Sequence, residues 1–165
     1  MRVRVAMLIA LAASLPAALF APAPLLAVPS GPLPAGFHPT VSVTIETQGG
    51  ARHFQVEVAR TPDEQDKGLK FRRSLPENGG MLFPIDPVTV ASFWMKNTPI
   101  SLDILFIRPD GSIANMRENA SPYSTEVIDS SEPVGAVLEI PGGRAAALGI
   151  RRGDKVRWQE ALGAL

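Results

Sequence analysis

Residues 40–58 read TVSVTIETQGGARHFQVEV, and their spacing decides the fold class. Val41, Val43 and Ile45 alternate with Ser42, Thr44 and Glu46, and further on Phe54, Val56 and Val58 alternate with Gln55 and Glu57. A period of two sends successive side chains to opposite faces of a pleated strand, so these are two half-buried strands. Gly49-Gly50 between them has the backbone freedom of a tight turn, and the pair reads as a β-hairpin.

The same pattern continues downstream. Thr61-Pro62-Asp63-Glu64 places a capping Thr, a Pro at the first helical position and a Glu three residues after the cap, which predicts a short helix running to about Gly68. After an irregular loop over 76–80, strands are expected at 81–83, 90–95, 102–107 and 113–117, with Pro109-Asp110-Gly111 turning the chain between the last two. Residues 137–140 read as another strand, 144–148 as a second short helix, and 156–158 as a closing strand entered through Gly153-Asp154. The fold class is α+β, mainly β: a rolled antiparallel sheet or partly open barrel with two short helices.

Upstream of the hairpin, Arg2 and Arg4 precede an apolar stretch over 5–20 that only Ser14 and Pro16 interrupt. That stretch is shorter than the roughly 20 apolar residues a bilayer span needs, and Pro16, Pro22 and Pro24 break it. It reads as a signal peptide over 1–27, cut after Ala27, followed by a Pro/Gly-rich flexible leader over 28–39 and a single β-rich domain over 40–165. The expected location is periplasmic or secreted, with no membrane contact after cleavage. The chain has 16 basic and 16 acidic side chains, and losing Arg2 and Arg4 leaves 14 against 16. That balance lacks the clustered basic excess of a nucleic-acid binder, so no nucleic-acid partner is expected. With no cysteine there is no disulfide framework and no thiol chemistry. A domain of about 125 residues can instead bury about two-thirds of its unfolded surface in a packed core.

Five blocks together resemble a known family: Gly68-Leu69, Gly80-Met81-Leu82-Phe83, Phe93-Trp94-Met95-Lys96-Asn97-Thr98, Leu102-Asp103-Ile104-Leu105-Phe106 and Val137-Leu138-Glu139-Ile140. They are similar to the signature blocks of domain-of-unknown-function family 192, over about residues 52–158. Lys70 departs from the pattern, where the Gly-Leu block usually continues with Met. The resemblance implies a fold and brings no activity, cofactor or catalytic residue with it.

Asp103 and Glu139 are carboxylates inside runs that are apolar at every other position, which implies burial on both faces of a sheet. A buried carboxylate needs a partner or a raised pKa. One reading gathers Trp94, Lys96, Asn97, Asp103 and Glu139 into one pocket with Arg73 nearby, the carboxylates holding a polar ligand or acting as acid and base. The other reading makes Lys96 and one carboxylate a structural ion pair. Pro141-Gly142-Gly143-Arg144 either offers free backbone N–H groups to an anion or is a plain strand-to-helix turn. His38 and His53 are too few for a histidine-rich metal site, and neither a metal nor a cofactor is expected. Three function classes follow: a binding or accessory module for a small polar or anionic ligand, a hydrolase or lyase with Asp103 and Glu139 as paired catalytic carboxylates, and a protein-interaction domain. The oligomeric state is left open.

Overall fold

The hairpin forms as its spacing requires. In the computed structural model, which describes residues 40–159, β1 (Thr40–Thr47) pairs antiparallel with β2 (Gly50–Val58), and Val41, Val43, Ile45, Phe54 and Val56 are buried on one face. The turn falls one residue earlier than expected: Gln48 and Gly49 make the loop, and Gly50, at φ 102°, is already paired with Thr47. The signal peptide and leader expected over 1–39 lie outside the described residues, as do 160–165.

Next comes α1 (Pro62–Lys67), closed by the expected capping box. The Glu64 N–H donates to Thr61 Oγ1 at 3.2 Å, and Glu64 Oε2 accepts from the Thr61 N–H at 2.9 Å. The remaining elements are β3 (Met81–Phe93), β4 (Leu102–Ile107), β5 (Ile113–Ala120), β6 (Ile128–Pro141), α2 (Arg144–Leu148) and β7 (Lys155–Trp158). One sheet holds all seven strands in the order β5-β4-β6-β3-β2-β1-β7. Its two edges approach where Ser112 bridges Lys155, so the sheet rolls without closing into a barrel.

Three expectations change. The sheet is mixed, because β2 runs parallel to β3; the intervening chain crosses over through α1, the kind of connection a parallel pair needs. The segments expected at 81–83 and 90–95 are one strand, β3, whose middle leaves the ladder: five steps from Pro84 to Thr89 face two from Ala136 to Val134. And β6 begins at Ile128, well before 137. Its first half carries Asp129, Ser130, Ser131, Glu132 and Pro133, residues that read as loop, yet pairing with β3 orders them, and Ser130 Oγ accepts from the Ala91 N–H at 3.0 Å.

Both faces of the sheet are covered, and β4 is buried at every position. One face packs Val43, Ile45, Phe54, Leu82, Leu105 and Leu138 beneath Ala145 of α2, and the other packs Met81, Phe83, Ile104, Phe106 and Val137 with Leu69 and Met95 from the loops. Gly80, at the entrance to β3, lies so close to β6 that an added Cβ would meet the Glu139 carbonyl oxygen at 2.2 Å. Backbone cannot yield there as a side chain does, so Gly80→Ala is expected to cost about 2–4 kcal/mol in urea unfolding. A variant within 0.5 kcal/mol of wild type, about the scatter of neutral surface changes, would show that the two strands are not so closely apposed.

Candidate functional site

The two carboxylates singled out by the sequence lie on opposite faces of the sheet. In the β4–β6 ladder Asp103 is opposite Ile140, whereas Ile104 is opposite Glu139. Cross-strand partners share a face and neighbours along a strand do not, so Asp103 and Glu139 cannot act on one substrate atom. Asp103 is fully buried, and its carboxylate is sealed by backbone donors. Oδ1 accepts from the N–H groups of Asn119 at 2.8 Å and Gly143 at 2.9 Å, and Oδ2 accepts from Ala145 at 2.7 Å. Gly143 caps α2, so the anion at the Pro141-Gly142-Gly143-Arg144 turn is the chain's own Asp103. This corrects the placement of Asp103 in a pocket: it ties β4 to β5 and to the start of α2.

Glu139 has the opposite character. It is 5% exposed, and among the described residues its carboxyl makes no hydrogen bond and no ion pair. Desolvation by burial pushes its pKa from the ordinary 4.5 up to about 8, so the neutral acid is the form present at pH 7. It lines a cavity of about 530 Å³ whose other walls include Phe83, Phe93, Trp94, Thr98 and the loop that ends α1. The bowed stretch of β3 gives Ile85, Asp86 and Pro87 to one wall, and Asp86-Pro87 is a cis peptide. Gln65 fastens α1 to this strand, donating to the Pro84 carbonyl at 2.9 Å. Phe83 and Phe93 meet edge to face at 5.2 Å, and Phe93 meets Phe106 at 6.2 Å, which stiffens the aromatic wall. Lys67 and Lys70 line it together with Asp66 and Asp86, Lys70 being paired with Asp66 at 3.1 Å. Lys70, where a methionine was the expectation, thus serves as a polar lining residue.

The other sequence candidates divide. Trp94 lines the Glu139 cavity and is 46% exposed. Lys96 has its ammonium 5.2 Å from the Trp94 ring centroid and makes no ion pair among the described residues, so the Lys96–carboxylate bridge does not form. Asn97 and Arg73 lie apart from Glu139, in a second cleft of about 400 Å³ with Phe71, Pro99 and Tyr123. Phe71, Asn97 and Tyr123 all have left-handed backbone, at φ 65°, 61° and 60°. Each such residue costs on the order of 1–3 kcal/mol and persists only where its surroundings hold it there. Among the described residues no group of three or more His, Cys, Asp or Glu is arranged to hold a metal ion, and no helix is long and apolar enough to cross a membrane. Thr98, Phe83 and the bow at 85–87 also line the cavity; Phe83 and Thr98 fall within the family blocks, whereas the bow leaves no periodic trace in the sequence.

Residues 43–158 match the family DUF192, described as an uncharacterized ACR. A solved protein of unknown function from Novosphingobium aromaticivorans DSM 12444 is 44% identical, with a TM-score of 0.74 over 81% of this chain and 94% of its own. Another, from Sinorhizobium meliloti 1021 and provisionally described as a transcription regulator, is 38% identical, with a TM-score of 0.71 over 73% of this chain and 95% of its own. No curated protein matches the chain.

Proposed function

The chain belongs to DUF192, a family with no assigned activity, and from that premise we propose that it is an exported binding module whose cavity over Glu139 holds a small polar or anionic organic ligand. The observation that carries this reading is a buried carboxyl without a partner on the wall of a 530 Å³ cavity. Burying a polar group without a partner costs free energy, and a ligand that supplies the missing hydrogen bond recovers it. As a neutral acid Glu139 donates one hydrogen bond, which suits a carbonyl or carboxylate oxygen. The Phe83, Phe93 and Trp94 rings suit an apolar body, and Lys67 offers an ammonium to a polar or anionic group, Lys70 being paired with Asp66.

Trp94 gives the test. With Trp158→Phe removing the second indole, the fluorescence of Trp94 and the thermal midpoint are followed against panels of sugars, organic acids and phosphates. A ligand that quenches Trp94 and raises the midpoint, but does so at least tenfold more weakly in Glu139→Leu, supports the reading. A panel with no such member, or one whose hits bind Glu139→Leu equally well, removes it.

A second reading has one observation in its favour: a carboxyl held neutral near pH 7 is poised as a general acid. The paired-carboxylate hydrolase or lyase lacks its second member, since Asp103 is sealed on the other face. The provisional description of the Sinorhizobium relative brings in nucleic acid, and the slight acidic excess after loss of Arg2 and Arg4 weighs against it. Export rests on residues 1–27; protein recovered from the periplasm or medium is expected to begin at Val28, and cytoplasmic protein that retains Met1 or Arg2 contradicts export.

A further inference from the structure

We propose that the cleft between Phe71, Arg73, Asn97, Pro99 and Tyr123 is a second ligand site, for a small aromatic carboxylate. It goes beyond the cavity over Glu139, which shares none of these lining residues.

Arg73 and its neighbour Arg72 differ in how they are used. The Arg72 guanidinium makes a bidentate pair with Glu57 at 2.6 and 2.5 Å, whereas Arg73 is exposed and makes no ion pair or hydrogen bond among the described residues. A free guanidinium fork matches the two oxygens of a carboxylate, and the Asn97 amide adds donors beside it. The flanking rings are equally unused: Phe71 is 72% exposed and Tyr123 64%, although both could gain by burial.

The backbone holds these groups in place. The Phe71 N–H donates to the Asn97 carbonyl at 2.8 Å, the Tyr123 N–H to the Thr98 carbonyl at 3.0 Å, and the Met95 N–H to the Ser124 carbonyl at 3.0 Å. Those bonds join three separate segments, and each of the three contributes one left-handed residue to the cleft. The backbone that carries Phe71, Asn97 and Tyr123 around a cleft of about 400 Å³ is thus set before anything binds, which lowers part of the entropic cost of association. A flat apolar body carrying one carboxylate uses all of them.

The test is an amide NMR titration of the purified protein with benzoate, acetate and benzyl alcohol. Benzoate is expected to shift Phe71, Asn97 and Tyr123, with acetate and benzyl alcohol each at least about tenfold weaker. Arg73→Ala is expected to weaken benzoate about tenfold or more. Asn97→Gly, which suits the left-handed backbone, keeps the fold and also weakens it. The affinity is fitted from the Phe71, Asn97 and Tyr123 amides, while the amides of Phe83 and Glu139 report separately on the cavity above, whose lining shares none of these residues. The proposal is overturned if benzoate shifts nothing there, if benzyl alcohol binds as well as benzoate, or if Arg73→Ala binds benzoate like wild type.

Discussion

Asp103→Ala is expected to lower the stability of the domain by about 3–5 kcal/mol, because it leaves three backbone N–H groups without their charged acceptor. Two of those donors, Gly143 and Ala145, belong to the start of α2, and the third, Asn119, to β5, so one side chain joins three elements. For a domain of this size the loss corresponds to a fall in Tm of roughly 10–20 °C. Asp103→Asn is expected to recover little, since its amide NH2 would face a backbone donor at one of the positions an oxygen now fills. Urea unfolding followed by circular dichroism measures both. In whatever fraction remains folded, ligand binding over Glu139 is unaltered, because the two groups lie on opposite faces of the sheet. An Asp103→Ala protein as stable as wild type but unable to bind would reverse the assignment and return Asp103 to the site.

Glu139 has the second large effect, and its sign is opposite to that of a paired carboxylate. Its folded pKa of about 8 lies above the ordinary 4.5, so the folded state holds the proton more tightly than the unfolded chain does. The associated stability is fully present below pH 4.5, declines as pH rises from there to 8, and is gone above it. The whole decline is on the order of 5 kcal/mol. Glu139→Gln, neutral throughout, is expected to remove this slope and to be more stable than wild type at pH 9, while matching it near pH 5. The check is urea midpoints for both proteins at steps from pH 5 to 9. Parallel curves would mean that Glu139 ionises freely in the folded protein.

Much of the fold was legible because it rests on local rules. Alternation marked β1, β2 and β4; the Thr61-to-Glu64 spacing marked α1; and apolar runs on both faces of β4 marked a central, covered strand. What stayed hidden depends on distant partners. The polar first half of β6 is a strand only because β3 lies beside it, and β3 reads as two pieces because residues 85–88 leave the ladder, three of them lining a cavity. For the site, unusual charge inside apolar strands drew attention to Asp103 and Glu139. It could not separate them, since the face each occupies follows from the β4–β6 register, and nothing in either strand states that register. The same limit applies to the Trp94-to-Asn97 block, whose members face two different cavities on either side of one turn.

The Glu139 side-chain carboxyl can be titrated by carbon-13 NMR, assigned by comparison with Glu139→Gln, first alone and then with a ligand identified through Trp94. A midpoint near pH 8 is expected, one that moves when the cavity is filled, because an occupant changes the solvation and hydrogen bonding of that one group. A midpoint near 4.5, unmoved by any ligand that quenches Trp94, would mean that the carboxyl is solvated and apart from the binding site, and would contradict a ligand held by Glu139.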